Sequence, residues 1–316
     1  MLESRASHLV AVAALAVTAL VWAGGFPATK YCLQAGLSVG ALLTIRFAIG
    51  TAGLGLLMLA LRVPIRRRDA LDGLWLGLVL VTLFWLQTDG LRFTSTSKSG
   101  FITGLYVIFT PLVALLVGDR LRLFHGLGAV VALMGLGLLV REPGTAWGGW
   151  NRGDSETLLA AVLCGFHIVM TAHFSRRSSG WVLAFMQVAV TGLVSLFITL
   201  ALPAPHGFAG AGVALAKGGT WVALGFMGVL ATTLAFYVQS TMQARVGATE
   251  CAILFSSEPV WTAMIALSGW VPGIREHLAP VQLLGGLLIL LATFVAELGP
   301  RLFQGAKPAA PEEVIG

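Results

Sequence analysis

The sequence predicts an all-α integral membrane fold: ten transmembrane helices arranged as two inverted five-helix repeats. Three observations carry that expectation. Hydrophobic residues make up 57% of the 316-residue chain and charged residues only 11%, with a mean hydropathy of +0.88. Apolar runs of about 20 residues, the length needed to cross a bilayer as a helix, follow one another along the chain. The two halves also echo each other. A soluble domain carries about 25% charged residues; a fold with less than half of that could not cover its surface against water, whereas lipid asks for no such cover.

The first apolar run, Leu9 to Phe26, exceeds the roughly 7–15 residues of a secretory signal core, and no small-residue cleavage site follows it. It is read as the first membrane helix, over residues 9–29. Spans two to five are expected at 38–61, 71–91, 98–117 and 121–140. Spans six to ten are expected at 156–174, 180–202, 219–240, 249–270 and 279–298. A polar stretch from Arg141 to Glu156, with Pro143 and clustered glycines and tryptophans, separates the two sets. The expected organisation is a first repeat over 8–141, a second over 155–299 and a short cytoplasmic tail over 300–316. Gly73 with Gly77, and Gly100 with Gly104, have the four-residue spacing that lets helices approach closely.

Orientation follows from the basic residues. With the N-terminus in the cytoplasm, twelve lysines and arginines fall in inner segments, Arg66, Arg67 and Arg68 foremost, and seven in outer ones. That asymmetry puts both termini inside, in a multi-pass protein of a cell membrane, expected to be a bacterial plasma (inner) membrane. The net charge of +6 does not signal nucleic acid, because the basic residues sit in short runs between apolar segments and form no platform with aromatics.

Other chemistries are excluded by spacing. Cys32, Cys164 and Cys251 are scattered and read as packing residues. His167 and His173 stand six apart on span six and face different ways, which argues against a metal site; His167 alone is a candidate proton-sensitive group. Gly126 and Gly128 begin no nucleotide loop, and no Walker lysine motif occurs. No cofactor is expected. No Ser-His-Asp set or histidine box gathers at a membrane face, so an enzyme is not expected. The alternatives weighed are a membrane-embedded lipid-modifying enzyme and a channel-like facilitator, which would need rings of like charge or a filter sequence.

The internal echo pairs Phe84-Trp85-Leu86-Gln87-Thr88 near the end of span three with Phe236-Tyr237-Val238-Gln239-Ser240 near the end of span eight. Each precedes a polar turn and then a span bearing a proline, Pro111 or Pro259, which align after a shift of one helical turn. An odd number of spans per half turns the second half upside down. Inverted repeats with interrupted helices are a recurrent transporter plan, with substrate held between the repeats.

Several stretches resemble the drug/metabolite transporter (DMT) superfamily, in its EamA-type ten-helix branch. They are Ala19-Leu20-Val21-Trp22-Ala23-Gly24-Gly25-Phe26 with Lys30, then Arg46-Phe47, then Gln87-Thr88, then Thr94 to Leu105, and finally Ala252 to Val260 with Glu258-Pro259. One departure is Val271-Pro272-Gly273-Ile274-Arg275-Glu276 where the family often has Leu-Gly-Glu. The resemblance implies a secondary active transporter that moves small metabolites (amino acids or related compounds) or drugs by alternating access, usually as efflux.

Candidate site residues follow from the cost of polarity in a bilayer, at least ~2.5–3.5 kcal/mol for an ionised group at a helix centre. Glu258 stands in mid-span before Pro259, whose missing N–H leaves carbonyls one turn back free to face a cavity. It is the candidate for proton or cation coupling. Arg46 and Lys98 either snorkel to the interface or serve as internal counter-charges, and the resemblance puts Lys98 near the central pathway. Trp22, Phe26, Trp85, Phe101, Tyr106, Phe166, Tyr237 and Trp261, with the amides Gln87 and Gln239, lie in spans that line the cavity in the resembled family. Such walls would take amphipathic or cationic small molecules. The expected partners are such a solute and the lipid bilayer, with monomer and homodimer equally open.

Overall fold

The computed structural model describes residues 2–118, 123–141, 149–202, 207–246 and 248–303. Described residues are helical or in short turns, with no strand among them. Arg120, Arg122, Pro143 and the tail from residue 304 lie outside the described residues.

The chain begins with α1 (Leu2–Ala35), α2 (Val39–Ala60) and α3 (Arg67–Phe93). Gly36, at φ +108, ends α1, and Ser38 opens α2 by accepting from Ala41 N at 3.0 Å. The fourth apolar segment is broken into α4 (Thr96–Thr103) and α5 (Tyr106–Ala114), and α6 (Leu123–Leu139) follows. An Asn151–Asp154 capping box starts α7 (Arg152–Ser175), and α8 is Gly180–Ala201. After the short α9 (Ala211–Leu215) comes one long rod. It comprises α10 (Gly218–Gly225), a π-helical stretch (Phe226–Leu234) and α11 (Ala235–Val246). The ninth apolar segment is again broken, into α12 (Ala248–Phe255) and α13 (Glu258–Ser268), and α14 (Pro280–Phe303) closes the described chain.

Eight helical segments are long and apolar enough to cross a membrane. Two further apolar helices, α6 and α14, occupy the positions expected of the fifth and tenth spans. These two pack on each other through small residues. A Cβ added to Gly135 would sit 2.7 Å from Gly285 O and 2.9 Å from Ile289 N, so only glycine allows the backbones to meet.

Lipid explains the outer surface. Leu56, Leu59, Leu116, Leu133, Phe197 and Val222 are each more than 65% exposed, which a water-soluble protein would not spread around its girth. Inside, α2 packs on α8 and α3 on both α7 and α8, whereas α1 runs against α10 to α13. The broken helices meet: α4 packs on α13 and α5 on α12. A Cβ at Gly104, where α4 gives way to α5, would lie 2.6 Å from Pro259 Cγ, and one at Gly100 would lie 2.8 Å from Thr262 Cγ2. Each break therefore lies within a turn of the other, between the helices that carry Thr103, Tyr106, Phe255 and Glu258.

Gly135→Ala should destabilise the purified protein by about 1–3 kcal/mol, because the added methyl meets backbone that cannot rotate away. Gly137, on the same helix with nothing within 4 Å of its added Cβ, should tolerate alanine or gain up to about 1 kcal/mol. Thermal unfolding of the two variants checks the α6–α14 contact, and equal effects would contradict it.

Candidate functional site

Residues of α1, α2, α3, α4, α5, α7, α11, α12 and α13 converge on one chamber. Helical spacing selects its wall on each element. From α3 come Leu80, Leu83, Phe84, Gln87, Thr88 and Leu91, one face of a helix at three- and four-residue intervals. From α1 come Trp22, Gly25, Phe26 and Thr29. Each broken helix adds a residue on either side of its break: Thr103 and Tyr106 in one, Phe255 and Glu258 in the other.

Aromatic rings make the apolar part of the wall. Trp22 lies 5.6 Å from Phe236 and 4.9 Å from Phe255 between ring centroids, and Phe84 lies 6.2 Å from Phe236. The Trp22 indole N–H donates to Ala231 O at 2.9 Å. That carbonyl belongs to the π-helical stretch, where the wider turn leaves backbone groups open to outside partners.

Two ionisable side chains of opposite kind, one basic and one acidic, stand in this wall. Arg46 is 4% exposed, donates its Nε–H to Thr232 Oγ1 at 3.0 Å and lies over the Phe84 ring, 4.6 Å from its centroid. Among the described residues that is its single hydrogen bond, which leaves the other guanidinium N–H groups available. Glu258 is 8% exposed, and no described group hydrogen-bonds its carboxylate. The two do not form an ion pair with each other or with any other described residue. Nearby, the Tyr106 hydroxyl and Gln239 Oε1 are buried without a protein partner. Gln87 Nε2 donates to Thr103 Oγ1 at 3.3 Å, and His167 Nε2 lies 2.7 Å from Gln187 Oε1. Where α12 gives way to α13, the Ser256 and Ser257 hydroxyls donate to Ile253 O and Leu254 O; the carbonyl that the missing N–H of Pro259 leaves free is a different one, Phe255 O.

Of the residues singled out in the sequence, Trp22, Phe26, Gln87, Tyr106, Gln239 and Glu258 line this chamber. The others lie elsewhere. Trp85 packs against the apolar core of α2, α3 and α8, and Tyr237 stacks on Trp181 with centroids 4.0 Å apart. Phe166 sits in a separate groove with Trp75 and Phe174. Phe101 fills the space beside Gly286, and Trp261 is 38% exposed. Lys98 forms a buried ion pair with Asp154 at 2.7 Å and also donates to Gly149 O, tying α4 to α7 at one end of the bundle. At the same end Lys30 donates to Leu91 O and Thr94 O, and Glu276 accepts from Thr96 N and Ser97 N at 2.5 and 2.8 Å. The stretch that departs from the family pattern thus supplies the cap of α4.

Phe84, Phe236, Arg46 and His167 belong to the wall but were not chosen as lining residues from the sequence. Phe84 and Phe236 open the two echoed segments, one residue before the Trp85 and Tyr237 that were chosen. A single step on a helix turns a side chain by about 100°, so the i, i+3 pairing with Gln87 and Gln239 was the signal that could have found them.

An aromatic chamber with a few convergent polar side chains, inside an apolar helical bundle, is the architecture of a membrane protein that handles small solutes. The comparisons agree in class. The EamA-like transporter family matches residues 9–141 and 151–297, and the chain belongs to that family. It is 31% identical over 294 residues to an uncharacterized transporter of Archaeoglobus fulgidus, covering 92% of this chain and 87% of that protein. A protein known from a crystal structure superposes with a TM-score of 0.66 at 20% identity, covering 94% of this chain and 99% of the other; that likeness concerns the fold alone. The protein is therefore a multi-pass membrane transporter.

Asp154→Asn should cost about 3–5 kcal/mol of stability, since it strands a buried ammonium. Replacing both partners, as Lys98→Met with Asp154→Asn, should cost less than the sum of the two single changes. Denaturation midpoints of the wild type, the two single variants and the double variant measure this, and an additive double variant would contradict the pairing.

Proposed function

We propose that the protein is a secondary active exporter of small zwitterionic or amphipathic metabolites, amino acids and related compounds foremost, working by alternating access. The reading is of ten spans in two inverted five-helix repeats, 8–141 and 155–299, with both termini in the cytoplasm of a bacterial plasma membrane. It is a carrier and not a catalyst.

The observation that supports the substrate class is a buried arginine and a buried glutamate, Arg46 and Glu258, left without ion-pair partners in one aromatic chamber. Arg46 offers N–H groups to a carboxylate, and Glu258 offers acceptors to an ammonium. Phe84, Trp22, Phe236 and Phe255 offer apolar faces to whatever lies between. A solute with both charges satisfies both side chains; a solute with one leaves a buried charge without a partner.

The inverted arrangement draws support from the two broken helices. Thr103 and Tyr106 flank one break as Phe255 and Glu258 flank the other, three residues apart in each case. Measured from the breaks, Pro111 and Pro259 are displaced by one turn, the shift that the sequence echo requires. Alternating access would move these crossing helices about Gly104 and Pro259. In this reading Glu258 also takes up and releases the driving proton, with Tyr106, Cys164, His167 and Arg46 as the ionisable neighbours on the chamber wall.

Proteoliposome flux with an imposed pH gradient tests the coupling. Glu258→Gln should lose gradient-driven flux by about tenfold or more; unchanged flux would remove Glu258 from the mechanism. The wall makes its own prediction. Phe84→Ala and Tyr106→Phe should weaken solute affinity by roughly 1–3 kcal/mol, whereas Trp85→Ala and Tyr237→Ala should leave it unchanged. The reverse ranking would mean that the chamber is not where solute binds.

A further inference from the structure

Along one side of the chamber, polar side chains continue past the point where the space for a solute ends. His167 of α7 pairs with Gln187 Oε1 of α8, and Gln187 Nε2 donates to Ser240 Oγ of α11 at 3.0 Å. Gln239, next to Ser240, faces the chamber. One turn further along α11, Gln243 donates Nε2 to Ile168 O at 2.7 Å, and one turn beyond His167 on α7 stands Thr171. These six side chains are at most 3% exposed. Three of their polar atoms nevertheless have no protein partner among the described residues: Gln239 Oε1, Gln243 Oε1 and Thr171 Oγ1.

The placement of these atoms is directional. Gln243 binds the carbonyl of Ile168, and Thr171 lies on the next turn of the same helix, so the two unpartnered atoms share one level of the α7–α11 seam. That level is close to the end of the bundle, because α7 finishes at Ser175 and α11 at Val246. Beyond it lie Arg177, ion-paired with Asp72, and Ser178, which donates to the same carboxylate at 2.7 Å. At the same end of the chamber, against α1, α5 and α12, the packing is apolar: Leu15, Ala19, Val107, Cys251 and Ala252 are fully buried together.

We propose that the α7–α8–α11 seam holds a chain of ordered waters joining the chamber to the end of the bundle where α7 and α11 finish. A buried water needs two to four polar partners. One that donates to Gln243 Oε1 and accepts from Thr171 Oγ1–H satisfies both orphaned atoms, and a second donates to Gln239 Oε1 at the chamber wall. The alternative, three bare polar atoms in a membrane interior, is expensive for each atom. The seam then admits water and protons while the apolar cluster beside it bars an organic solute. Its purpose as a proton route to Glu258 rests on the proton-coupled reading above; its existence does not.

Silver-ion reactivity of single cysteines in the full-length protein tests the passage directly. In a chain with Cys32, Cys164 and Cys251 replaced by alanine, Thr171→Cys and Gln243→Cys should react about 100-fold faster than Ala252→Cys in the dry cluster, as wet thiols do relative to buried ones. Reaction no faster than at Ala252 overturns the proposal, whatever transport proves to be coupled to. Because cysteine itself alters the seam, Thr171→Val supplies a second reading. Removing a hydroxyl that is buried dry raises the melting temperature, which would overturn the proposal, whereas removing one that holds a water leaves it unchanged or lowers it. Reactive seam cysteines in a protein whose transport ignores pH would uphold the passage and sink the coupling.

Discussion

Hydrocarbon provides no hydrogen-bond partner, so in a bilayer each polar group must find one within the protein or face an enclosed space. Most of this structure follows from that demand. The breaks in the fourth and ninth apolar segments expose backbone carbonyls, and serine hydroxyls take two of them. The charges at the end of the bundle are matched, Lys98 with Asp154 and Glu276 with the first amides of α4. Glycines let the backbones of α6 and α14 meet and make room in α4 for the Pro259 and Thr262 side chains of α13. Two buried ionisable side chains without an ion pair, Arg46 and Glu258, stand in the wall of one chamber.

The two charges are held differently, which bears on what each can do. Arg46 is fixed by Thr232 and by the Phe84 face, so its guanidinium is pre-oriented and loses little freedom on meeting a carboxylate. Glu258 has no such restraint. It sits at the first turn of α13, against the break where that helix meets α12, and any movement of the broken helix moves it. One side chain thus belongs to an unbroken helix and the other to the first turn of a broken one. A carrier needs both, since binding must be specific and must also change when the helices rearrange.

The fold was legible because apolar run length and charge placement survive in the bare sequence. Eight segments long enough to span, and the interruption at Pro259, follow from patterns that need no tertiary knowledge; the break at Gly104 does not, since the proline of that segment, Pro111, lies inside α5. The site was legible only by element. Trp85, Phe166 and Tyr237 were chosen for their aromatic character, whereas the wall uses Phe84, His167 and Phe236, each one position away. Helix phase decides which face turns inward, and with apolar residues on all faces of a membrane helix the usual amphipathic cue is weak. Lys98 shows the converse: an in-span charge whose partner, Asp154, is 56 residues away in the chain, a pairing that spacing does not reveal.

The central claim is that one chamber binds a solute through Arg46 and Glu258 together. Equilibrium binding of three matched compounds to the purified protein tests it most directly: phenylalanine, the amine that lacks its carboxylate, and the acid that lacks its ammonium. The account predicts that the zwitterion binds at least about tenfold more tightly than either truncated compound, the equivalent of roughly 1.4 kcal/mol for each charge satisfied. Equal affinity for all three would contradict it.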